Sequence, residues 1–225
     1  MLTLAKRMSQ LGTDSAFVVL SRAKALEAQG RHVIHLGIGQ PDFPPPVHVM
    51  EAAYKAMRDG HNGYTPSNGI LPLREAVAAD LLGRHQVTVS PEDVQIVPGG
   101  KVVIFFATLM FGEPGAEILY PDPGFFTYES AIRFVGATPV PIPLREEHEF
   151  AFSAEEVLAR ITPRTRLLIL NSPANPTGGV VPRAEMDKLA KGLEVFPGVA
   201  VLSDEIYSRL LYDGHEHVSM LSYPA

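Results

Sequence analysis

The feature that most constrains the fold of this chain is a regular alternation of short apolar segments with helical segments from residue 94 onward. Such an alternation predicts β-α-β units, in which the strands are mostly parallel and the connecting helices cover both faces of the sheet. The predicted strands are residues 94–97, 117–120, 138–142, 166–170 and 199–202. The predicted helices between them are residues 101–111, 125–135, 153–161 and 183–193. We therefore expect an α/β fold.

The region before residue 94 follows a different pattern. Its periodicity predicts helices at residues 14–29, 47–58 and 72–84, with Gly30 ending the first, and one short strand at residues 32–36. We expect residues 1–46 to form a separate piece and residues 47–225 to form the main domain.

The composition excludes several classes of protein. The chain has no cysteine, which excludes disulfide scaffolds, thiolate zinc sites, iron–sulfur clusters and cysteine nucleophiles. A formal net charge of −6 without a basic block argues against a nucleic-acid groove. The longest apolar run, residues 102–111, is about half of the ~20 residues that cross a bilayer, and the N-terminus lacks the apolar core of a secretory signal. We expect a cytoplasmic protein that binds neither nucleic acid nor membranes.

Two loops that follow predicted strands carry residues suited to ligand binding, since ligands of open parallel sheets lie beyond the carboxyl ends of the strands. The loop Pro98-Gly-Gly-Lys101 leads directly into a helix, whose N–H groups and positive dipole end favour an anion such as a phosphate. The loop Asn171-Ser-Pro-Ala-Asn-Pro-Thr-Gly178 contains two X-Pro pairs, which hold Asn175 as a rigid amide donor. Either loop alone could be an ordinary surface turn.

A third loop, Ser203-Asp-Glu-Ile-Tyr207, directly follows the last predicted strand. The carboxylate of Asp204 at the end of a buried strand needs a cationic or donor partner. Tyr207 lies three residues further on, so a helical turn there would let both side chains address one ligand. A solvated loop acid is the alternative, but the three loops together favour one ligand site.

These three motifs resemble those of the class I and II aminotransferases of fold type I, which use pyridoxal 5'-phosphate. The segments Gly39-Gln-Pro-Asp-Phe43 and Gly63-Tyr-Thr-Pro-Ser-Asn-Gly-Ile70 are similar to segments of the same family. The resemblance covers essentially the whole chain in order. It implies pyridoxal 5'-phosphate as cofactor, an amino acid and a 2-oxo acid as substrates, and transfer of the amino group between them. It also implies that residues 1–46 belong to a smaller domain and residues 47–225 to the cofactor-binding large domain.

The resemblance assigns the phosphate and one face of the cofactor ring to three residues. It implies that the amides of Gly100 and Lys101 hold the phosphate. It also implies that Phe125 stacks on the pyridine ring, where the family often has tryptophan.

The other assigned residues address the edge of the ring, the neighbouring subunit and the substrate. Asn175 and Tyr207 would hydrogen-bond the phenolic oxygen of the ring, and Asp204 would pair with its protonated nitrogen. Tyr64 would reach the phosphate bound by a neighbouring subunit, which implies a homodimer. Gly39 would line the substrate carboxylate.

The chain departs from the family at the catalytic lysine, which in the family forms a Schiff base with the cofactor and follows the Asp-Glu-Ile-Tyr motif. No lysine of this chain lies in that context; its lysines are Lys6, Lys24, Lys55, Lys101, Lys188 and Lys191. We therefore assign no catalytic residue here and expect the N-terminal part of a longer enzyme, truncated before the Schiff-base lysine and inactive by itself. The resemblance further implies that later strands lie between residues 199–202 and 94–97, which leaves the sheet interrupted there.

Other readings of the sequence stay open. A pyridoxal-phosphate-dependent C–S β-lyase would use the same scaffold, and so would a non-catalytic binding module that senses the cofactor. Asp213, His215 and His217 could be drawn as a metal site, but two alternating histidines on a turn lack a further ligand cluster, so we predict no metal site.

Overall fold

The computed structural model describes residues 2–12 and 15–224. The chain divides into two compact units, one comprising Met1–Gly12 and Leu71–Ala225 and the other Thr13–Ile70. The predicted domain boundary after residue 46 stays a prediction.

The secondary structure follows the predicted alternation closely. The helices are α1 (Ser15–Glu27), α2 (Val47–Arg58), α3 (Leu71–His85), α4 (Gly100–Phe111), α5 (Thr127–Phe134), α6 (Ala154–Leu158) and α7 (Arg183–Leu193). The strands are β1 (Glu117–Asp122), β2 (Thr138–Pro143), β3 (Thr165–Asn171) and β4 (Ala200–Asp204). Short 3-10 turns lie at Lys6–Gln10, Pro91–Asp93, Glu146–His148 and Met220–Ser222.

The larger unit is built on one sheet in the order β2-β1-β3-β4, and each neighbouring pair of strands is parallel. Alternate residues of β1 and β3 face opposite sides, as the two-residue period of a strand requires. Ile118 and Ile169 pack in one core cluster with residues of α4 and α5, whereas Leu119 and Leu168 pack in another with residues of α6 and α7. The sheet therefore carries helices on both faces, which confirms the predicted α/β class.

Capping chemistry explains where α6 begins. The Ser153 hydroxyl accepts a hydrogen bond from the Glu156 amide at 3.4 Å, the N-cap half of the predicted capping box. The Glu156 carboxylate does not complete the box: its Oε1 atom accepts a hydrogen bond from Arg145 at 2.7 Å, and its Oε2 atom is buried without a hydrogen-bond partner among the described residues. The helix ends at Leu158, earlier than the predicted residue 161, and the chain continues in turns whose Arg160 and Ile161 amides bond carbonyls three residues back.

Two predicted strands are wrong, because a strand needs a partner as well as an apolar pattern. Residues 32–36 are irregular in the smaller unit, where Ile34 and Leu36 are exposed. Residues 94–97 also form no ladder, and β4 is an edge strand of the described sheet. The second finding matches the expected interruption between residues 199–202 and 94–97.

The smaller unit contains α1 and α2. Gly30 follows α1 with a positive φ of 84°, the conformation that suits a glycine after a helix. The predicted start of this helix at residue 14 lies outside the described residues. None of the helices in the described ranges is both long and apolar enough to span a bilayer.

Candidate functional site

The ends of two strands and the starts of two helices surround one cavity of about 370 Å³. Ligand pockets in proteins commonly have volumes of roughly 300–1,000 Å³. The carboxyl ends of β3 and β4, the start of α4 and the start of α5 contribute the walls. The lining residues are Gly100, Lys101, Val103, Ile104, Phe125, Tyr128, Asn171, Asn175, Leu202, Ser203, Asp204, Glu205, Ile206 and Tyr207.

The N-terminus of α4 forms one end of the cavity. Gly99 precedes it with a φ of 93°, a backbone conformation that favours glycine, and no described side chain caps this helix. A Cβ atom added at Gly100 would meet no described atom within 4 Å, so open space lies above the first turn. The arrangement suits an anion held by backbone N–H groups.

Two aromatic rings lie beside this end of the cavity. Lys101 Nζ lies 5.5 Å from the ring centroids of both Phe125 and Phe126, which is cation–π distance. The Phe125 ring also meets Tyr128 edge to face, with the ring centroids 5.8 Å apart. Phe125 is thus held by ring contacts while it lines the cavity.

Asp204 is the last residue of β4 and projects a carboxylate into the cavity lining. Its Oδ2 atom accepts a hydrogen bond of 2.7 Å from the Tyr128 hydroxyl, and its Oδ1 atom accepts one of 3.3 Å from the Ile206 amide. Tyr128 is fully buried, and this burial, together with the neighbouring carboxylate, raises the pKa of the Tyr128 hydroxyl. The tyrosine therefore remains a donor to Asp204 across the physiological pH range.

Asn171 joins two of the predicted site residues. It is buried at the end of β3, where it stands in register with Asp204 of β4. Its Nδ2 atom donates to the Asp204 carbonyl at 2.9 Å, and its Oδ1 atom accepts from the Asn175 amide at 2.8 Å. One side chain therefore ties the end of β4 to the loop that carries Asn175.

Glu205 also lines the cavity, but its carboxylate is hydrogen-bonded to other groups of the protein. Its carboxylate accepts hydrogen bonds from the hydroxyls of Ser203 and Ser219 at 2.8 and 3.1 Å and from the Met220 amide at 3.0 Å. It also pairs with His217 Nε2 at 2.9 Å. Burial acts to raise the pKa of Glu205, but the donors from His217 and the other three groups outweigh it and lower that pKa.

His217 is therefore part of a hydrogen-bond network that fastens the C-terminal segment to the cavity wall. Asp213 and His215 are exposed. Within residues 2–12 and 15–224, no three histidine or acidic side chains are grouped so as to hold a metal ion.

The structure brings most of the predicted cofactor residues together. The residues that line the cavity are Gly100, Lys101, Phe125, Asn175, Asp204 and Tyr207. Tyr64 and Gly39 belong to the smaller unit, where Tyr64 is fully exposed. Their roles stay predictions.

The sequence motifs do not identify Tyr128 or Asn171 as site residues, and they do not predict the hydrogen-bond partners of Glu205. Tyr128 lies three residues after Phe125, so its helical spacing could have placed both on one face. Asn171 opens the loop motif, but the motif assigns a ligand contact only to Asn175. No pattern in the sequence indicates that Glu205 faces residues 217–220.

Comparison with known proteins gives a consistent result. The chain matches the family Aminotransferase class I and II over residues 31–223. It is 39% identical over 220 residues to a probable aspartate/prephenate aminotransferase of Aquifex aeolicus, which covers 98% of this chain and 56% of that protein. It is 38% identical over 210 residues to an arginine–pyruvate transaminase of Pseudomonas aeruginosa, covering 93% of this chain and 53% of that protein.

Solved structures agree with the sequence matches. The aspartate aminotransferase of Thermus thermophilus with maleate superposes with a TM-score of 0.91 at 36% identity, covering 97% of this chain and 57% of that chain. The alanine aminotransferase of Pyrococcus furiosus gives a TM-score of 0.90 at 31% identity, covering 96% and 55%. The chain spans about half the length of the curated relatives it matches.

Proposed function

Because this chain belongs to the aminotransferase class I and II family, we propose that it works as part of a pyridoxal 5'-phosphate-dependent aminotransferase. The proposed reaction moves an amino group between an amino acid and a 2-oxo acid. The names of the relatives contain different substrates, namely aspartate, prephenate, arginine and pyruvate. We therefore propose the substrate class, amino acids and 2-oxo acids, and not a single substrate.

One observation carries the proposal: the uncapped N-terminus of α4, the aromatic ring of Phe125 and the carboxylate of Asp204 at the end of β4 line one cavity. These are the groups that a phosphorylated pyridine needs, because it has an anionic end, two flat faces and a basic ring nitrogen. The donor set of the cavity therefore fits this cofactor.

The phosphate would lie at the start of α4. The amides of Gly100 and Lys101 would hold it, and the side-chain charge of Lys101 would add to the dipole of the helix. The open space above Gly100 supports this placement, because a side chain there would cover the first turn.

The ring would lie between Phe125 and the end of β4. Asp204 would pair with the protonated ring nitrogen, and Asn175 and Tyr207 would donate to the ring oxygen. When bound, the cofactor supplies an electron sink for the electrons released as the substrate loses its α-proton. Asp204 contributes to that chemistry by holding the ring nitrogen in its charged form.

Cofactor binding by the chain tests this placement. Asp204→Asn removes the negative charge and keeps the size of the side chain, so we expect the affinity for pyridoxal 5'-phosphate to fall about tenfold or more, as for the loss of a charge-assisted hydrogen bond. Equilibrium dialysis measures the affinity. Glu216→Gln, at an exposed acid outside the cavity, is the matched control and should bind normally. Equal affinity for Asp204→Asn and the unsubstituted chain would contradict the assignment.

The transfer reaction requires an assay on the complete protein that contains this sequence. Incubation with an amino acid and 2-oxoglutarate should yield glutamate and the 2-oxo acid of the donor. Release of a thiol, pyruvate and ammonia from an S-substituted cysteine, without glutamate formation, would instead identify a β-lyase. Cofactor binding without either reaction would identify a binding module.

We also propose that the protein is a homodimer. Tyr64, assigned by the family resemblance to a neighbouring subunit, is fully exposed within its own unit. Light scattering coupled to size-exclusion chromatography measures the mass, and a monomer at micromolar concentration would contradict the proposal. The cytoplasmic location stays a prediction.

A further inference from the structure

Asn171 is not among the proposed cofactor contacts, but it is hydrogen-bonded to two residues that are. Two of the proposed cofactor contacts, Asp204 and Asn175, come from different elements, the end of β4 and the loop after β3. The buried amide of Asn171 is hydrogen-bonded to the backbone of both, as donor to the Asp204 carbonyl and as acceptor from the Asn175 amide.

The spacing between these two contacts matters for a rigid ligand. A planar ring fixes the distance between its nitrogen and its oxygen substituent, so the protein groups that address them must be held at a matching distance. Backbone pairing ends at the Asn171–Asp204 position of the β3–β4 ladder. Beyond that point, the side chain of Asn171 is hydrogen-bonded to both segments.

We propose that Asn171 is a positioning residue for the cofactor site, which sets the distance between Asp204 and Asn175. It acts through these two residues and contributes one donor and one acceptor. The inference rests on the proposed function for the identity of the ligand, but the two hydrogen bonds can be tested without the ligand.

Two substitutions separate this role from simple packing. Asn171→Leu keeps a similar size and removes both hydrogen bonds. Asn171→Asp keeps the acceptor, but its ionised form cannot donate to the Asp204 carbonyl. Its protonated form has one O–H donor and one carbonyl acceptor, so it restores both bonds. Burial and the nearby Asp204 carboxylate favour that protonated form.

The first measurement is the affinity for pyridoxal 5'-phosphate between pH 5 and pH 8, by equilibrium dialysis. We expect Asn171→Leu to bind about tenfold more weakly or worse throughout, a typical effect of losing hydrogen bonds at a buried site. Asn171→Asp should bind weakly at the alkaline end and regain affinity on acidification. The other titratable cavity groups, Lys101, Tyr128, Asp204, Glu205 and Tyr207, are common to all variants. The pH profile of the unsubstituted chain therefore removes their contribution.

The second measurement needs no cofactor. Hydrogen exchange of the Asn175 amide, followed by NMR, should be faster by about tenfold or more in Asn171→Leu, since exchange requires an open hydrogen bond. Ser172→Ala is the matched control, because the Ser172 hydroxyl accepts from the Val181 amide at 3.0 Å in the same loop. That substitution should accelerate exchange at Val181 and leave Asn175 and cofactor affinity unchanged.

The outcomes distinguish this inference from the proposed function. Normal affinity and normal Asn175 exchange in Asn171→Leu would overturn the inference and leave the proposed function intact. Relative to the unsubstituted chain, an Asn171→Asp affinity that is higher at pH 8 than at pH 5 would also overturn it. Failure of the unsubstituted chain to bind pyridoxal 5'-phosphate would overturn the proposed function and the cofactor role of Asn171 with it, and Asn175 exchange would then show whether the contact itself exists.

Discussion

The carboxylate of Glu205 should contribute several kcal/mol to the free energy of unfolding, because it accepts hydrogen bonds from four groups. Its Oε1 atom accepts from Ser203, Ser219 and Met220, and its Oε2 atom faces His217 Nε2. The side chains of Glu205 and His217 are only 20% and 6% exposed. Water therefore cannot readily replace these partners.

Glu205→Gln isolates the interaction with His217. A glutamine oxygen in the place of Oε1 keeps the other three donors, but its NH₂ group then meets Nε2 of the histidine. His217 can accept there only with its proton on Nδ1, which is buried without a hydrogen-bond partner among the described residues. We expect a loss of about 2 kcal/mol, the typical worth of a hydrogen bond to a charged group. Glu205→Ala, which strips all four donors of their acceptor, should cost about 3–5 kcal/mol.

The pH dependence gives a second, independent check. The folded-state pKa of Glu205 is lowered, so its contribution to stability is present above the ordinary glutamate pKa of 4.5 and is lost as pH falls through the folded-state pKa. Glu205→Gln has no such ionisation, so the gap between it and the unsubstituted chain should shrink as the pH falls below 4.5.

Urea unfolding followed by circular dichroism measures these free energies at pH 7 and at several lower values. Glu216→Gln is the control for loss of an exposed acid, and it should change the free energy of unfolding by less than about 0.5 kcal/mol. The reasoning is refuted if the two glutamine variants are equally stable at pH 7, or if the gap for Glu205→Gln grows as the pH falls below 4.5.

Three further substitutions have defined expectations. Tyr128→Phe removes the donor to Asp204; since the pKa of Tyr128 is raised by burial, the variant should lose less stability than the unsubstituted chain as the pH rises above 10, measured by urea unfolding. Gly179→Ala should destabilise the chain by about 1–3 kcal/mol in the same assay, because its Cβ would lie 2.4 Å from the Phe150 carbonyl oxygen. Gly83→Ala, inside α3 where a Cβ meets no atom within 4 Å, should instead stabilise it by about 0.5–1 kcal/mol, so a loss there would contradict the packing described.

Helices with strong local signals could be predicted from the sequence almost to the residue. The predicted bounds of α2 and α7 coincide with the observed Val47–Arg58 and Arg183–Leu193, because the periodicity of apolar residues is complete within each segment. The apolar run at residues 94–97 has an equally suitable local pattern, but it forms no strand. Its state depends on a partner strand, which no local pattern reports.

The same distinction explains which parts of the candidate site were predictable. Asp204 ends β4, and Asn175 and Tyr207 lie in the loops that follow β3 and β4, so their order along the chain was enough to place them at the carboxyl ends of the strands. The residues that hold them are distant in sequence: Asn171 and Asp204 are 33 residues apart, and Tyr128 and Asp204 are 76 apart.

These two distant contacts differ in what would be needed to predict them. Once β3 and β4 are known to be parallel neighbours, equal distances from the strand ends place Asn171 beside Asp204, and the ladder shows that register. The contact between Asn171 and Asp204 therefore follows from the order and register of the two strands. Tyr128 reaches Asp204 from α5 on one face of the sheet, so its contact depends also on how that helix is rotated against the strands. Tyr128 belongs to the core cluster that also contains Ile118 and Ile169, so the packing of that cluster fixes the rotation of α5 and with it the Tyr128–Asp204 hydrogen bond.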